Sequence, residues 1–140
     1  MAQTAQARHT EAEEFTTFED IFALALANTK SSRFKGDSDV WNAVLYEVCQ
    51  DYRDKMPELE MIFFEERPPL PPQSSEFYQL ITTLSMSNLI TLPNPNYAFI
   101  MMDERQKTRA RELEERRLEK YKDDIEKITK LLDEQLAAIE

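Results

Sequence analysis

The sequence predicts a mainly α-helical domain followed by one long charged helix. Before residue 90, apolar residues recur at the spacing of a helix face in three separate segments. The 140 residues include only one glycine, so few turns can use positive φ. Residues 103–140 hold 10 basic and 12 acidic residues, and apolar residues recur at helical spacing from Leu118 onward.

Composition excludes several function classes. Gly36 is the single glycine, so no phosphate-binding loop is present. His9 is the single histidine, which disfavours a histidine metal site or a catalytic triad. We therefore expect a non-enzymatic protein without cofactor or metal. The single cysteine, the polar N-terminus and the absence of a long apolar run predict a cytoplasmic protein without a membrane span.

The first helix is predicted over Phe18–Thr29, after a polar tail (residues 1–15) that we expect to be disordered. Thr16 and Glu19 have the spacing of a capping box, in which two side chains accept hydrogen bonds from free N–H groups at a helix start. One helix face is apolar and consists of Phe18, Ile21, Phe22, Ala25 and Leu26.

The second helix is predicted from about Asp39 to Lys55, after a loop (residues 29–37) and an N-cap at Asp37 or Ser38. Cys49 lies on its apolar stripe, which favours a buried structural thiol over a nucleophile. The stripe consists of Trp41, Val44, Leu45, Val48, Cys49 and Tyr52.

Pro57 suits the first turn of a short third helix. Its Leu59, Ile62 and Phe63 would then face inward, but the same apolar run also suits a short buried strand. The proline-rich stretch at residues 67–72 ends regular structure.

A further helix is predicted from Ser74 or Ser75 to about Ser87. Two β-prone runs, residues 89–92 and 97–101, flank a turn of proline and asparagine and predict a β-hairpin. The globular domain is thus expected to cover residues 16–102.

This order of elements, and residues 74–101 above all, resembles the winged-helix domain of PadR-type and related regulators. The resemblance implies a winged-helix fold and a C-terminal dimerisation helix. In a winged helix that reads DNA, the helix before the wing supplies donors to bases and phosphates. Residues 74–102 contain no lysine or arginine, so we transfer no DNA-contacting residue.

The C-terminal segment, residues 103–140, is predicted to be one coiled-coil-type helix that starts at an Asp103 N-cap. We expect it to join two chains in a homodimer, because an exposed apolar stripe would be a liability. The alternative is that it folds back on its own domain. The predicted dimer seam consists of Leu118, Tyr121, Ile125, Ile128, Leu132, Leu136 and Ile139.

Residues 105–117, the basic segment, contain six basic residues interrupted by three glutamates. Three interpretations stay open: a solvated helix surface with salt bridges, a DNA-binding arm, or a segment that docks on the acidic domain of a sister subunit. With the basic residues of the 29–37 loop, they give the candidate nucleic-acid contacts Lys30, Arg33, Lys35, Arg105, Arg109 and Arg116.

The functional hypothesis is a protein-interaction, assembly or regulatory module that self-associates and binds an unidentified protein. The alternative is a dimeric winged-helix transcription regulator that binds DNA. Charge favours the first: of the net charge of −10, the domain before residue 103 carries −8 (7 basic and 15 acidic residues), which repels phosphates.

Overall fold

The computed structural model describes residues 15–66, 68–70, 72–92 and 99–138. These residues form a mainly α fold with a small antiparallel sheet, as predicted. In chain order the elements are α1 (Phe18–Ala27), β1 (Arg33–Lys35), α2 (Ser38–Tyr52), a first 3-10 helix (Pro57–Met61), α3 (Glu76–Met86), β2 (Phe99–Met101), α4 (Glu104–Glu114), a second 3-10 helix (Glu119–Tyr121) and α5 (Lys122–Leu136).

Helix α1 forms the centre of the fold. Its capping box uses Thr17 and Asp20, one residue later than predicted, with the Thr17 N–H donating to Asp20 Oδ2 at 2.9 Å. Every side chain from Ile21 to Ala27 is buried, so the helix is covered on all sides. Helices α3, α4 and α5 all pack against it.

The small sheet has its first strand where a loop was predicted. Strand β1 pairs antiparallel with β2, and Phe34 lies opposite Ile100. On the other edge of β1, Phe34 bridges Ala137, just after α5 ends. The predicted hairpin is represented by one antiparallel bridge, Thr91–Met101, and its turn at residues 93–98 lies outside the described residues.

Helix α2 begins after the predicted N-cap, Asp37, whose side chain accepts from the Asp39 N–H at 2.8 Å. The following 3-10 helix starts at Pro57, at the position predicted for a short helix. Leu59 and Ile62 are buried as expected, but the prediction that Phe63 faces inward is wrong, because its side chain is 69% exposed.

The prediction of one continuous C-terminal helix is wrong. Asp103 does cap α4, in a capping box with Gln106, but α4 ends at Glu114. A turn and the second 3-10 helix then separate it from α5. The interruption lets two shorter helices, rather than one rod of about 55 Å, pack against the same α1.

The predicted dimer seam is internal to one chain. Five of its side chains are at most 2% exposed: Leu118, Ile125, Ile128, Leu132 and Leu136. They belong to the core that includes α1 and α2, so the prediction that they form an intermolecular interface is wrong in this fold, and the segment folds back instead. Tyr121 is half-buried and donates to Glu58 Oε1 at 2.9 Å, and Ile139 lies outside the described residues. Homodimerisation stays a prediction that would need another surface.

Within the described part of the chain, no helix combines the length and apolarity needed to cross a membrane.

Leu132→Ala tests the internal packing of α5. Leu132 is 0% exposed, so we expect the free energy of unfolding to fall by about 2–5 kcal/mol through lost burial and a residual cavity. Leu113→Ala is the matched control, since Leu113 is 46% exposed on α4 and its truncation should change stability by less than about 0.5 kcal/mol. Urea unfolding of both variants measures the difference. Equal stability losses would contradict the packing.

Candidate functional site

The basic loop between α1 and α2 does not present three free cations. The Arg33 guanidinium lies over the Phe99 ring, 3.9 Å from its centroid. Its Nε is buried and has no hydrogen-bond partner among the described residues. Lys30 and Lys35 remain exposed. Two separate lysines are a weak basis for the predicted phosphate contacts.

Two cations of the basic segment bind backbone carbonyls at the C-terminal end of α1 and in the loop that follows it. Lys107 is 2% exposed, and its Nζ donates to the carbonyl oxygens of Thr29, at 2.9 Å, and of Ser31. Arg111 donates to the Ala27 carbonyl oxygen at 2.7 Å. Carbonyls at the end of a helix lack intrahelical donors and carry its negative dipole end. Because α1 has no basic residue in its own last turn, α4 supplies the charge.

Burial lowers the pKa of Lys107, and the nearby carboxylates of Glu104 and Asp133 oppose that shift. The carbonyl oxygens around Nζ replace the water that the ammonium group loses. Lys107 is therefore a structural cation of the core.

The remaining arginines of the basic segment do not form a cationic surface. Arg105, Arg109 and Arg116 are exposed on α4 and the turn that follows it. Three exposed carboxylates accompany them along the same stretch: Glu104, Glu112 and Glu115. With equal numbers of opposite charges, this surface has little net attraction for phosphates, and it matches the interpretation of a solvated charged helix surface.

The candidate site is instead a face of α3 that carries no formal charge. Tyr78 and Met86 are 63% and 83% exposed, and the exposed side chains of Gln79 and Thr82 lie between them along the helix. We call these four residues the α3 face. Three of them, Tyr78, Thr82 and Met86, are spaced four residues apart and share one line along the helix. Sequence reasoning identified the helix and its missing cations but did not single out these residues.

Contacts with α2 hold the N-terminal end of α3. The buried Asn42 accepts from the Ser74 N–H at 2.8 Å and donates to the Ser38 carbonyl oxygen at 2.8 Å. The rings of Trp41 and Phe77 are 5.6 Å apart and bury the inner side of α3. Orientation of the α3 face is thus fixed by the core beneath it.

A Schellman motif ends α3. Asn88 has φ of 59°, a left-handed conformation that asparagine tolerates well. The Leu89 N–H donates to the Leu84 carbonyl oxygen at 2.9 Å, and the Asn88 N–H donates to that of Ser85 at 3.0 Å. Leu89 is buried, so Met86 is left at the exposed end of the helix.

A second group of interest consists of Glu114, the last residue of α4, with Asp20 of α1 and Arg117. Arg117 donates to both carboxylate oxygens of Glu114, at 2.9 and 3.2 Å, and lies 3.7 Å from Asp20. Burial raises the pKa of Glu114 to about 7; the charge of Asp20 adds to this, and Arg117 opposes it. These contacts join the start of α1 to the end of α4. Glu114 is therefore a structural residue whose titration affects how the two helices interact.

Other features do not assemble a reactive site. Burial raises the pKa of the Cys49 thiol and outweighs the opposing charge of Arg53, one turn along α2, so this cysteine is a poor nucleophile. A groove of about 680 Å³ between α1, α4 and α5 is bordered by mixed charges, among them Arg111, Glu115 and Lys122. Among the residues that the structure describes, no three histidine, cysteine or acidic side chains come together as metal ligands.

Comparisons of this chain with protein-family models, with curated proteins and with solved structures find no match.

Glu114 makes stability depend on pH. An unfolded glutamate loses its proton near 4.5, whereas folded Glu114 keeps it up to about 7. The contribution of Glu114 to stability is therefore fully present at pH 4.5 and below, and it is lost as the pH rises from 4.5 to 7, on the order of 2 kcal/mol in all. Chemical unfolding of the wild type and of Glu114→Gln at pH 5, 6, 7 and 8 measures this loss. The variant should lack it. Glu112→Gln, at an exposed position on the same helix, should retain it, and an unchanged pH dependence in Glu114→Gln would contradict the assignment.

Proposed function

We propose that this chain is a non-enzymatic protein-interaction module that binds its partner through the α3 face. The carrying observation is that this face exposes an aromatic ring and a methionine on a rigidly held helix without any lysine or arginine. Aromatic and methionine side chains are enriched in protein interfaces, and the exposure of Tyr78 and Met86 among the described residues favours an interaction surface.

The frame that presents α3 is, in this proposal, a winged-helix-like domain. Its support is the order of elements: β1 lies between α1 and α2, pairs with β2 beyond α3, and Met101 also bridges Thr91. In winged-helix proteins the helix in the position of α3 is the one presented to the ligand. Here that helix offers side chains suited to protein.

The alternative function, a transcription regulator that reads DNA, finds less support. Lys107 and Arg111 are engaged with carbonyls of α1, and the exposed arginines of the basic segment are balanced by glutamates. A DNA-binding surface would need a net excess of cations.

Protein capture with a two-residue variant tests the proposal. We expect tagged wild-type chain to enrich specific proteins from a lysate of the source organism. Tyr78→Ser/Met86→Ser should lose that enrichment by roughly ten-fold or more, since central aromatic anchors dominate interface energies. Leu113→Ser, which alters an exposed leucine of α4, is the control and should capture normally.

Two results would contradict the proposal. One is the same captured proteins with the α3 variant, provided that its thermal unfolding matches the wild type. The other is tight binding of random duplex DNA whose affinity falls steeply between low and moderate salt, which would favour the DNA-binding regulator.

A further inference from the structure

The surroundings of the α3 face are strongly acidic. Residues 57–92 contain five glutamates against one basic residue, Arg67. Glu60, at the end of the first 3-10 helix, and Glu65 and Glu66, in the segment that follows it, are exposed. We call residues 60–66 the acidic strip. A ligand of the α3 face therefore also meets a negative field.

Hydrogen bonds hold the acidic strip beside α3. The Phe63 N–H donates to Glu76 Oε1, in the first turn of α3, at 2.8 Å. Glu65 and Gln73 then pair through two backbone hydrogen bonds of 2.8 and 2.9 Å. The strip is thus anchored at the N-terminal end of α3, and its side chains of Met61 and Phe63 are 64% and 69% exposed.

The shape of the α3 face suits a helix. Thr82 is smaller than Tyr78 and Met86 on either side of it, and from these side-chain sizes we expect a shallow notch at the middle of the line. Tyr78 and Met86 are eight residues apart, about 12 Å along the helix. A helix packed alongside could seat one large apolar side chain in the notch, as ridges of one helix fit grooves of another.

The negative charge of the acidic strip favours one kind of partner helix. A second copy of this chain, placed face to face, would bring two acidic strips together, and like charges across an interface oppose association. An acidic peptide would meet the same repulsion. A helix with an apolar stripe flanked by lysine or arginine could place an apolar side chain in the notch and its cations near the glutamates.

We propose that the α3 face and the acidic strip together bind a basic amphipathic helix of another protein. An apolar side chain of that helix sits over Thr82, between Tyr78 and Met86. Its cations are attracted by the glutamates of the acidic strip at the N-terminal end of α3. The inference rests on the proposed function and adds the chemistry of the partner.

Synthetic helical peptides test the inference on the full chain, labelled with ¹⁵N. The probes are a leucine/lysine amphipathic peptide, its leucine/glutamate and leucine/glutamine counterparts, and a scrambled leucine/lysine peptide that lacks an apolar stripe. Amide chemical shifts locate binding, and titration at low and moderate salt gives the affinity.

The expected result is that the amphipathic leucine/lysine peptide shifts the amides of α3 and the acidic strip. It should bind at least ten-fold more tightly than the glutamate and scrambled peptides, and more weakly at higher salt. Tyr78→Ala and Met86→Ala should each weaken it several-fold, Glu60→Gln/Glu66→Gln should reduce its salt dependence, and Leu113→Ala should leave it unchanged.

Three outcomes would overturn the inference. Equal affinity of the lysine, glutamate and glutamine peptides at α3 would remove the basic partner but keep α3 as a protein-binding face. Concentration-dependent shifts of the α3 amides without any peptide would assign the face to a second copy. Peptide binding away from α3, or no binding, would reject this partner class. Failure of the proposed function is a separate result: the Tyr78→Ser/Met86→Ser variant would capture the same proteins as the wild type.

Discussion

The burial of α1 from Ile21 to Ala27 is the constraint on which the rest of the structure depends. A helix that is apolar around its whole circumference must be covered on every side. From Ile21 to Ala27 no side chain of α1 retains appreciable exposure, and three alanines in that run let neighbouring helices come close. Helix α3 covers part of this surface, and the C-terminal segment covers much of the remainder through α4 and α5. The apolar stripe of α5 is therefore buried against α1 of the same chain. In this contact Thr129 also donates to the Ala25 carbonyl oxygen at 3.2 Å.

Covering α1 also determines where the charges go. The carbonyl oxygens at the end of α1 and in the loop after it need hydrogen-bond donors. Lys107 and Arg111 of α4 provide those donors. These interactions bury Lys107 and engage the half-buried Arg111, and glutamates balance the exposed arginines of the same segment. The outer surface of the described residues also includes the uncharged α3 face and, at the N-terminal end of α3, the exposed glutamates of the acidic strip. A single packing requirement thus accounts for the placement of Lys107 and Arg111.

Local patterns predicted the helices well and their assembly poorly. The Asp37 and Asp103 caps and the stripe from Trp41 to Cys49 are short-range features, so the sequence alone identifies them. Strand β1 was missed because a three-residue strand is specified by its partner β2 rather than by its own pattern. The dimer seam was misassigned because heptad spacing does not distinguish a partner chain from the chain's own core. The unbroken run of apolar residues from Ile21 to Ala27 was the available signal, since a helix that is apolar on every side needs cover on every side. The α3 face could not be identified in advance, because which side of α3 is exposed depends on where α1 and α2 lie.

Native-state hydrogen exchange of the α5 amides at two protein concentrations, a few micromolar and a few hundred micromolar, tests the central claim most directly. If α5 belongs to the core of a single chain, the protection of residues 125–132 approaches that of α1 and does not change with concentration. If α5 is instead a dimer seam, its protection falls on dilution by the mass action of dissociation, while that of α1 and α2 persists. Concentration-independent protection shared with α1 is the predicted result, and selective loss of protection in α5 on dilution would contradict it.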